Sequence, residues 1–287
     1  MWTSIATLLV ALSIASPAGA TPKGIFSVFR GCPASELKGR SENPICVYAQ
    51  VAGGRLTIGR TMVPIDRTIT IQAGGLNAAE GWDLVPPSGG TIMSKAPLEV
   101  PGGLNGLVQC GAIGGRVAQA SCGAADGTEV TATIEVVPAS SAPAFVSVSG
   151  LFGEKPLLLF PARVHLGNAF LGNSCYIGSG SHPIMLEMTF WATTPPAPNI
   201  PISGQRGKLE QEEENGLEAL VLSGNSLVDN AFSVPAAEGC AGQLSSLVDP
   251  MLDAKLGLPS KAGHNTAILD LPALDLAIAE NIVKSEE

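Results

Sequence analysis

The sequence predicts a mainly β protein arranged as a sandwich or barrel, with one or two short helices near its C-terminus. Three observations lead there. Short runs rich in Val, Ile, Leu and Thr recur along the chain, several of them alternating with period two. The 34 Gly and 22 Pro among 287 residues cluster between those runs, where turns need them. The regular succession of helices that would build a parallel, nucleotide-binding sheet is missing. Hydrophobic residues make up 45% and charged residues only 14%, so the chain can bury a core and is not intrinsically disordered. A net charge of −9 without a basic block leaves no electrostatic footprint for a phosphate backbone, which argues against nucleic acid as a partner.

Residues 1–20 contain an apolar run from Ile5 to Ile14, then Pro17 and Ala18-Gly19-Ala20. The run is too short to span a bilayer and the small residues form an A-x-A cleavage site, so the segment reads as a secretory signal peptide with the mature chain starting at Thr21. The stretch before Ile5 lacks the Lys or Arg that usually opens such a segment. Position 21 holds no Cys to take a lipid. No later stretch is long and apolar enough for a spanning helix; the nearest, Ala144 to Phe160, is broken by Glu154, Lys155 and Pro156. The expected location is extracellular or at the cell envelope.

From Cys46 onward the β-type runs follow one another. Cys46–Val51 and Arg55–Ile58 flank Ala52-Gly53-Gly54, which predicts a hairpin. Thr68-Ile69-Thr70-Ile71 alternates as a half-buried strand and leads into Ala73-Gly74-Gly75. Thr128–Val137, Phe145–Val148, Leu157–Leu166, Ile184–Thr193, Ala219–Leu222, Phe232–Val234 and Ala267–Leu271 read in the same way. Asp249 as N-cap, Pro250 as first helical residue and Gly257 as stop delimit a short helix ending at Leu256. For Ala273–Val283 a helix and an edge strand starting at Leu271-Pro272 both fit, and Lys284 to Glu287 should fray.

The stretch from Val137 to Pro143 reads as a connector and divides the mature chain into two β-rich halves, 21–138 with four Cys and 144–287 with two. Ile58-Gly59 before Pro64-Ile65 is echoed at equal spacing by Ile177-Gly178 before Pro183-Ile184, a short hint of duplication. Thr193–Ser203, with Pro195, Pro196, Pro198 and Pro201, reads as an exposed extended loop. Glu210-Gln211-Glu212-Glu213-Glu214 reads as a solvated loop or helix turn; a calcium loop would need ligands alternating around a fixed turn.

All six Cys, at 32, 46, 110, 122, 175 and 240, lie in the expected mature chain, and an even number in an oxidising compartment favours three disulfides. Cys32 with Cys46 and Cys110 with Cys122 are close pairs, leaving Cys175 for Cys240. Short loops of this kind contribute roughly 3 kcal/mol each in the chain-entropy treatment. The closely paired spacings of a zinc site, such as C-x-x-C, do not occur.

Catalytic signatures are sparse. The three His are His165, His182 and His264. Ser174 and Ser179, in the stretch Gly172 to Ser179, and Thr266 beside His264 are the nearby nucleophiles, which makes His264, His182 and Ser179 the weak candidates for a Ser/His hydrolase. No G-x-S-x-G elbow accompanies them, and a turn leading to the next strand uses the same residues. Metalloprotease, P-loop and dinucleotide-binding motifs are absent, so no metal or cofactor is expected. Trp82 beside Asp83, Trp191 near Thr193, and Tyr48 and Tyr176 offer few platforms for a sugar. A mean hydropathy of +0.30, raised in part by the N-terminal segment, suits an apolar, lipid-like guest held in a β-rich scaffold. A membrane β-barrel is disfavoured because 5% aromatics furnish no interfacial girdles.

Phe29-x-x-Cys32, Cys46-Val47-Tyr48, Gly53-Gly54-x-x-x-Ile58-Gly59 and Val63-Pro64-Ile65 resemble the N-terminal pattern of a family of secreted actinobacterial proteins of unknown function. The resemblance continues through Val100 to Leu104, Leu171 to Ser179, Pro195 to Asn199 and Lys255 to Ala267, and covers most of the mature chain. It implies export and lineage and transfers no catalytic residue. The expected function is a secreted, disulfide-stabilised structural or binding component without catalysis. A small Ser/His hydrolase and a carrier of an apolar ligand are the alternatives.

Overall fold

The computed structural model describes residues 21–125, 127–137, 143–153 and 156–287. The expected signal peptide, 1–20, and positions 138–142 of the connector lie outside the described residues. Before the connector come β1 (Ile45–Val51), β2 (Gly53–Ile58), β3 (Thr61–Pro64), β4 (Ile69–Ala78), β5 (Gly81–Val85), β6 (Leu98–Glu99) and β7 (Thr131–Val136), with helices α1 (Ala34–Leu37), α2 (Gly103–Leu107) and α3 (Arg116–Ala124). After it come β8 (Phe145–Ser147), β9 (Leu158–Gly167), β10 (Tyr176–Ile177), β11 (Ile184–Met188), β12 (Lys208–Glu214), β13 (Leu217–Asp229), β14 (Ala237–Glu238) and β15 (Thr266–Ile278), with α4 (Ser245–Leu256) and α5 (Ala279–Ser285).

The fifteen strands form one antiparallel sheet whose main path runs β12-β13-β15-β1-β4-β5-β8-β9-β10-β14. β2 with β3, β6 with β7, and β11 branch from that path. The mainly β expectation holds, but the sheet stays open: its path ends on two different edges, β12 and β14, and does not close into a barrel. It does curl, because Thr189, just beyond β11, exchanges backbone hydrogen bonds with Val228 of β13 at 3.0 and 2.8 Å.

Strand pairing and the core both run across the connector. β15 pairs with β1 and β2, β7 with β9, and β5 with β8. Val47, Ile71 and Leu98 share one buried cluster with Phe160, Leu227 and Leu274. A smaller cluster, in which Phe26, Phe29, Leu37 and Ile282 pack with Cys46, Ala219 and Ala277, seats the N-terminal turn, α1 and α5 on the sheet. Each such fully buried Phe or Leu stabilises the fold by about 2 kcal/mol. The three disulfides join Cys32 to Cys46, Cys110 to Cys122 and Cys175 to Cys240, the nearest-neighbour pattern.

Several local expectations are corrected. Ala52-Gly53-Gly54 does not close a hairpin. β1 and β2 lie along the same partner, with Ile45 opposite Ile278 and Thr57 opposite Thr266 in one continuous register. The interruption between them falls opposite Pro272, which has no N–H to give to a ladder. Gly54, at φ +113°, passes so close to β15 that a Cβ would strike the Ile268 carbonyl oxygen. The Glu-rich stretch 210–214 is not a loop or helix turn but lies in β12, paired to β13 from Lys208–Ser223 to Glu214–Leu217. Its exposed charges suit a sheet edge, where they discourage further strand addition.

Near the C-terminus, α4 begins at Ser245 and takes Pro250 inside it, so Asp249 is no N-cap. Asp249 instead accepts the backbone N–H groups of Gly239 at 3.1 Å and Cys240 at 2.9 Å, while Asp253 accepts that of Ala237 at 2.8 Å. Gly257 stops the helix as expected, in the left-handed region at φ 77°. Residues 273–278 continue β15, in the interior of the sheet, and helix forms only from Ala279. Phe232–Val234 gives only an isolated bridge, Val234 to Ser260. The Pro-rich loop is tied down: the Thr193 hydroxyl accepts from the N–H of Ile202 at 3.0 Å, and Asn199 donates to the carbonyls of Asn230 and Asn265, both at 2.9 Å.

Candidate functional site

A largely apolar cleft of about 430 Å³ lies between β15 and β13 on one side and the β5–β8 region on the other. Its residues follow from strand alternation. On β15 Leu274, Leu276 and Ile278 share one face, and the antiparallel register sets Leu220 of β13 beside Leu276 and Ile45 of β1 beside Ile278. Val146, Val148, Leu151 and Leu157 form the facing wall, with Trp82 beside Val146 in register. Leu220, Val148 and Ile278 are each about 40% exposed, 38%, 40% and 42%, so the cleft opens to solvent along an apolar strip. Ala219 and Ala277 also border the cleft, although strand alternation turns their side chains to the opposite face of the sheet, into the smaller cluster with Phe26 and Phe29.

Polar groups are confined to the rim, at Asn43, Gln211, Glu218 and Asn281, with Ser147 in the β8 wall. The Trp82 indole N–H donates to the Asn43 carbonyl at 3.2 Å, which fixes the ring at the mouth. Asn281 donates to the Glu218 carbonyl at 3.1 Å, docking α5 against β13. No Lys, Arg or His lines the cleft. Its chemistry is that of an apolar slot with polar lips: it can hold a hydrocarbon, and its one hydroxyl, that of Ser147, lies 2.9 Å from the Ser149 hydroxyl with no His lining the cleft to activate it.

The hydrolase candidates are not brought to this cleft. Ser179 and His182 close a turn in which the Ser179 hydroxyl accepts the His182 N–H at 3.2 Å and lies 3.2 Å from the Ser181 hydroxyl. The Ser181 hydroxyl in turn lies 3.1 Å from His182 Nδ1. His182 is exposed, and among the described residues no carboxylate hydrogen-bonds its ring. His264 is exposed in the turn after Lys261, with its N–H directed to the Lys261 carbonyl at 3.3 Å, and shares no hydrogen bond with Ser179 or His182. Thr266 opens β15 opposite Thr57, and the Ser174 hydroxyl donates to the Gly239 carbonyl at 2.9 Å. The six Cys, Cys32, Cys46, Cys110, Cys122, Cys175 and Cys240, are all disulfide-bonded.

The aromatic candidates divide. Trp82 reaches the cleft, while Trp191 donates from its indole N–H to the Gly150 carbonyl at 3.0 Å and lies against Gly153. Thr193 is buried and closes its own loop. Tyr176 is sandwiched between the His165 ring, 4.9 Å away by centroids, and the Arg163 guanidinium at 4.0 Å, on a different strand face. Leu220 and Val148 went unsignalled in the sequence as cleft residues. The usable cue lay in Leu274, Leu276 and Ile278, whose alternation fits a strand with one apolar face.

Among the described residues no helix is long and apolar enough to cross a membrane, and no group of His, Cys, Asp and Glu is arranged to hold a metal ion. No protein-family model, curated protein or solved structure matches the chain.

Proposed function

We propose that the chain is a secreted, non-catalytic binding protein that works outside the membrane or in the cell envelope and carries an apolar, lipid-like ligand in the cleft between β15 and β8. One observation carries this reading: an open slot of about 430 Å³, walled by aliphatic side chains and Trp82, with its polar groups at the lips. That volume lies within the range of roughly 300–1,000 Å³ typical of small-molecule sites. Three disulfides support an oxidising location.

The test is fluorescence of the neutral probe N-phenyl-1-naphthylamine with the oxidised protein. Saturable enhancement is expected, with binding weakened at least about tenfold by Leu220→Glu, since a charge would then stand in the apolar wall. Leu220 is partly exposed, so the variant should keep the wild-type fold by circular dichroism. No saturable enhancement, or enhancement untouched by Leu220→Glu, would remove the carrier reading. Turnover of a member of an ester library, lost in His182→Ala or His264→Ala, would replace it with the hydrolase.

A further inference from the structure

We infer that the occupant of the cleft is a single-chain amphiphile whose polar head is uncharged or cationic and rich in hydrogen-bond donors. The inference rests on the reading of the cleft as a binding site and adds the chemistry of its guest. The wall sets the tail: Leu220, Leu274, Leu276 and Val146 present only aliphatic surface, and about 430 Å³ sits at the low end for ligand pockets, which suits one chain.

The lips set the head. Glu218 lines the mouth, is exposed, and makes no ion pair among the described residues. Its cross-strand neighbour on β12 is Glu213, so a second carboxylate stands beside it. The basic side chains of β12 and α5 are already committed, Lys208 to Glu210 at 2.6 Å and Lys284 to Glu280 at 2.8 Å. The side-chain amides of Asn43, Gln211 and Asn281 can each donate as well as accept, and Asn281 uses one of its two N–H groups on the Glu218 carbonyl, so the amides do not choose the head's charge. The Asn43 carbonyl is occupied by Trp82. The mouth is therefore set apart by its charge: it carries carboxylates, and no Lys, Arg or His lines it. A hydroxylated or ammonium head finds partners there, whereas a carboxylate or phosphate head meets like charge without a counter-ion.

The experiment is displacement of N-phenyl-1-naphthylamine from the oxidised protein at low ionic strength by three amphiphiles of equal chain length: an alkylamine, a monoacylglycerol and a fatty acid. The amine and the glyceride should displace at concentrations about five- to tenfold below the fatty acid, the discrimination expected of one exposed charge near contact. Glu218→Lys, an exposed substitution, should abolish or reverse that order, read for the variant against its own separately measured affinity for the probe. Added salt should narrow the gap. If the probe binds and Leu220→Glu removes it, yet the fatty acid competes as well as the others and Glu218→Lys changes nothing, the head-group assignment is wrong while the cleft stands. If the probe never binds the cleft, the underlying reading fails first. A concentration-dependent dimer in native mass spectrometry that Leu220→Glu dissolves would make a second copy the occupant and overturn the assignment.

Discussion

Glu135 on β7 and Asp275 on β15 are both carboxylates turned into strand faces, 8% and 7% exposed, yet they titrate in opposite directions. Burial alone would push both up. For Glu135 the cross-strand residue is Arg163, which donates from Nε at 2.8 Å and reaches the same carboxylate oxygen with a terminal nitrogen at 2.7 Å. Lys95 adds a contact at 3.1 Å. These cations outweigh burial and hold the carboxyl below its ordinary value. For Asp275 the cross-strand residues are Tyr48 and Val221, one of its oxygens has no hydrogen-bond partner, and Glu212 lies near enough to repel it. Burial, with Glu212 behind it, pushes this carboxyl up to about 6. A strand face thus sets a charge's cost through its register neighbours more than through its depth.

The hardest test of that contrast is to remove the cation. Arg163→Ala should destabilise the protein by about 2 kcal/mol in urea unfolding near neutral pH, below the ~3–5 kcal/mol of a fully buried broken pair because Lys95 remains and Arg163 is partly exposed. A loss within error would mean that Glu135 gains nothing from its pairing. The same measurement against pH carries a sign: stability supplied by Glu135 is present above its ordinary value of 4.5 and lost as pH falls through its lowered folded value.

Asp275 has the opposite sign. Between its ordinary value of 3.8 and about 6 the folded chain holds the proton more tightly than the unfolded one, so its contribution falls as pH rises through that window and stays lost above it. Asp275→Asn should accordingly stabilise the protein by on the order of 2 kcal/mol at pH 7.5, with the gain shrinking toward zero near pH 4. A gain independent of pH would show that shape, not charge, governs the site. The smallest effect belongs to Glu212→Gln, which removes the repulsion. It should raise stability by less than about 0.5 kcal/mol at neutral pH and lose even that in high salt, because the Glu212 side chain is exposed and screened.

What the sequence disclosed was local. The three disulfides follow from Cys spacing, β4 shows in its Ile and Thr alternation, and β9 shows in the apolar run that opens it. Gly257 marked a helix end through a backbone geometry that glycine favours. The misread segments are those whose partners lie far along the chain. Asp249 has the form of a helix cap, but its oxygens are taken by N–H groups of Gly239 and Cys240. The Glu-rich stretch lacks strand propensity and is held extended by β13 alone. Helix α3 buries only Cys122, so it carries no apolar stripe to read. The cleft was legible only as Trp82 and a general apolar character, since its walls come from β1, β5, β8, β13 and β15, which only the register brings together.

The position of β15 has a consequence for how the molecule is made. The last strand of the chain is an interior strand of the sheet, with β13 on one side and β1 and β2 on the other. A nascent chain emerging N-terminus first therefore presents β1 and β2 long before the template that completes them exists. Their joining must wait for the C-terminus, a contact of very long sequence separation and a slow one to form. Until then the aliphatic faces of β1 and β13 that later flank the cleft stand uncovered. A truncation that reaches back past Ile278 into β15 would therefore take away the middle of the sheet rather than its margin.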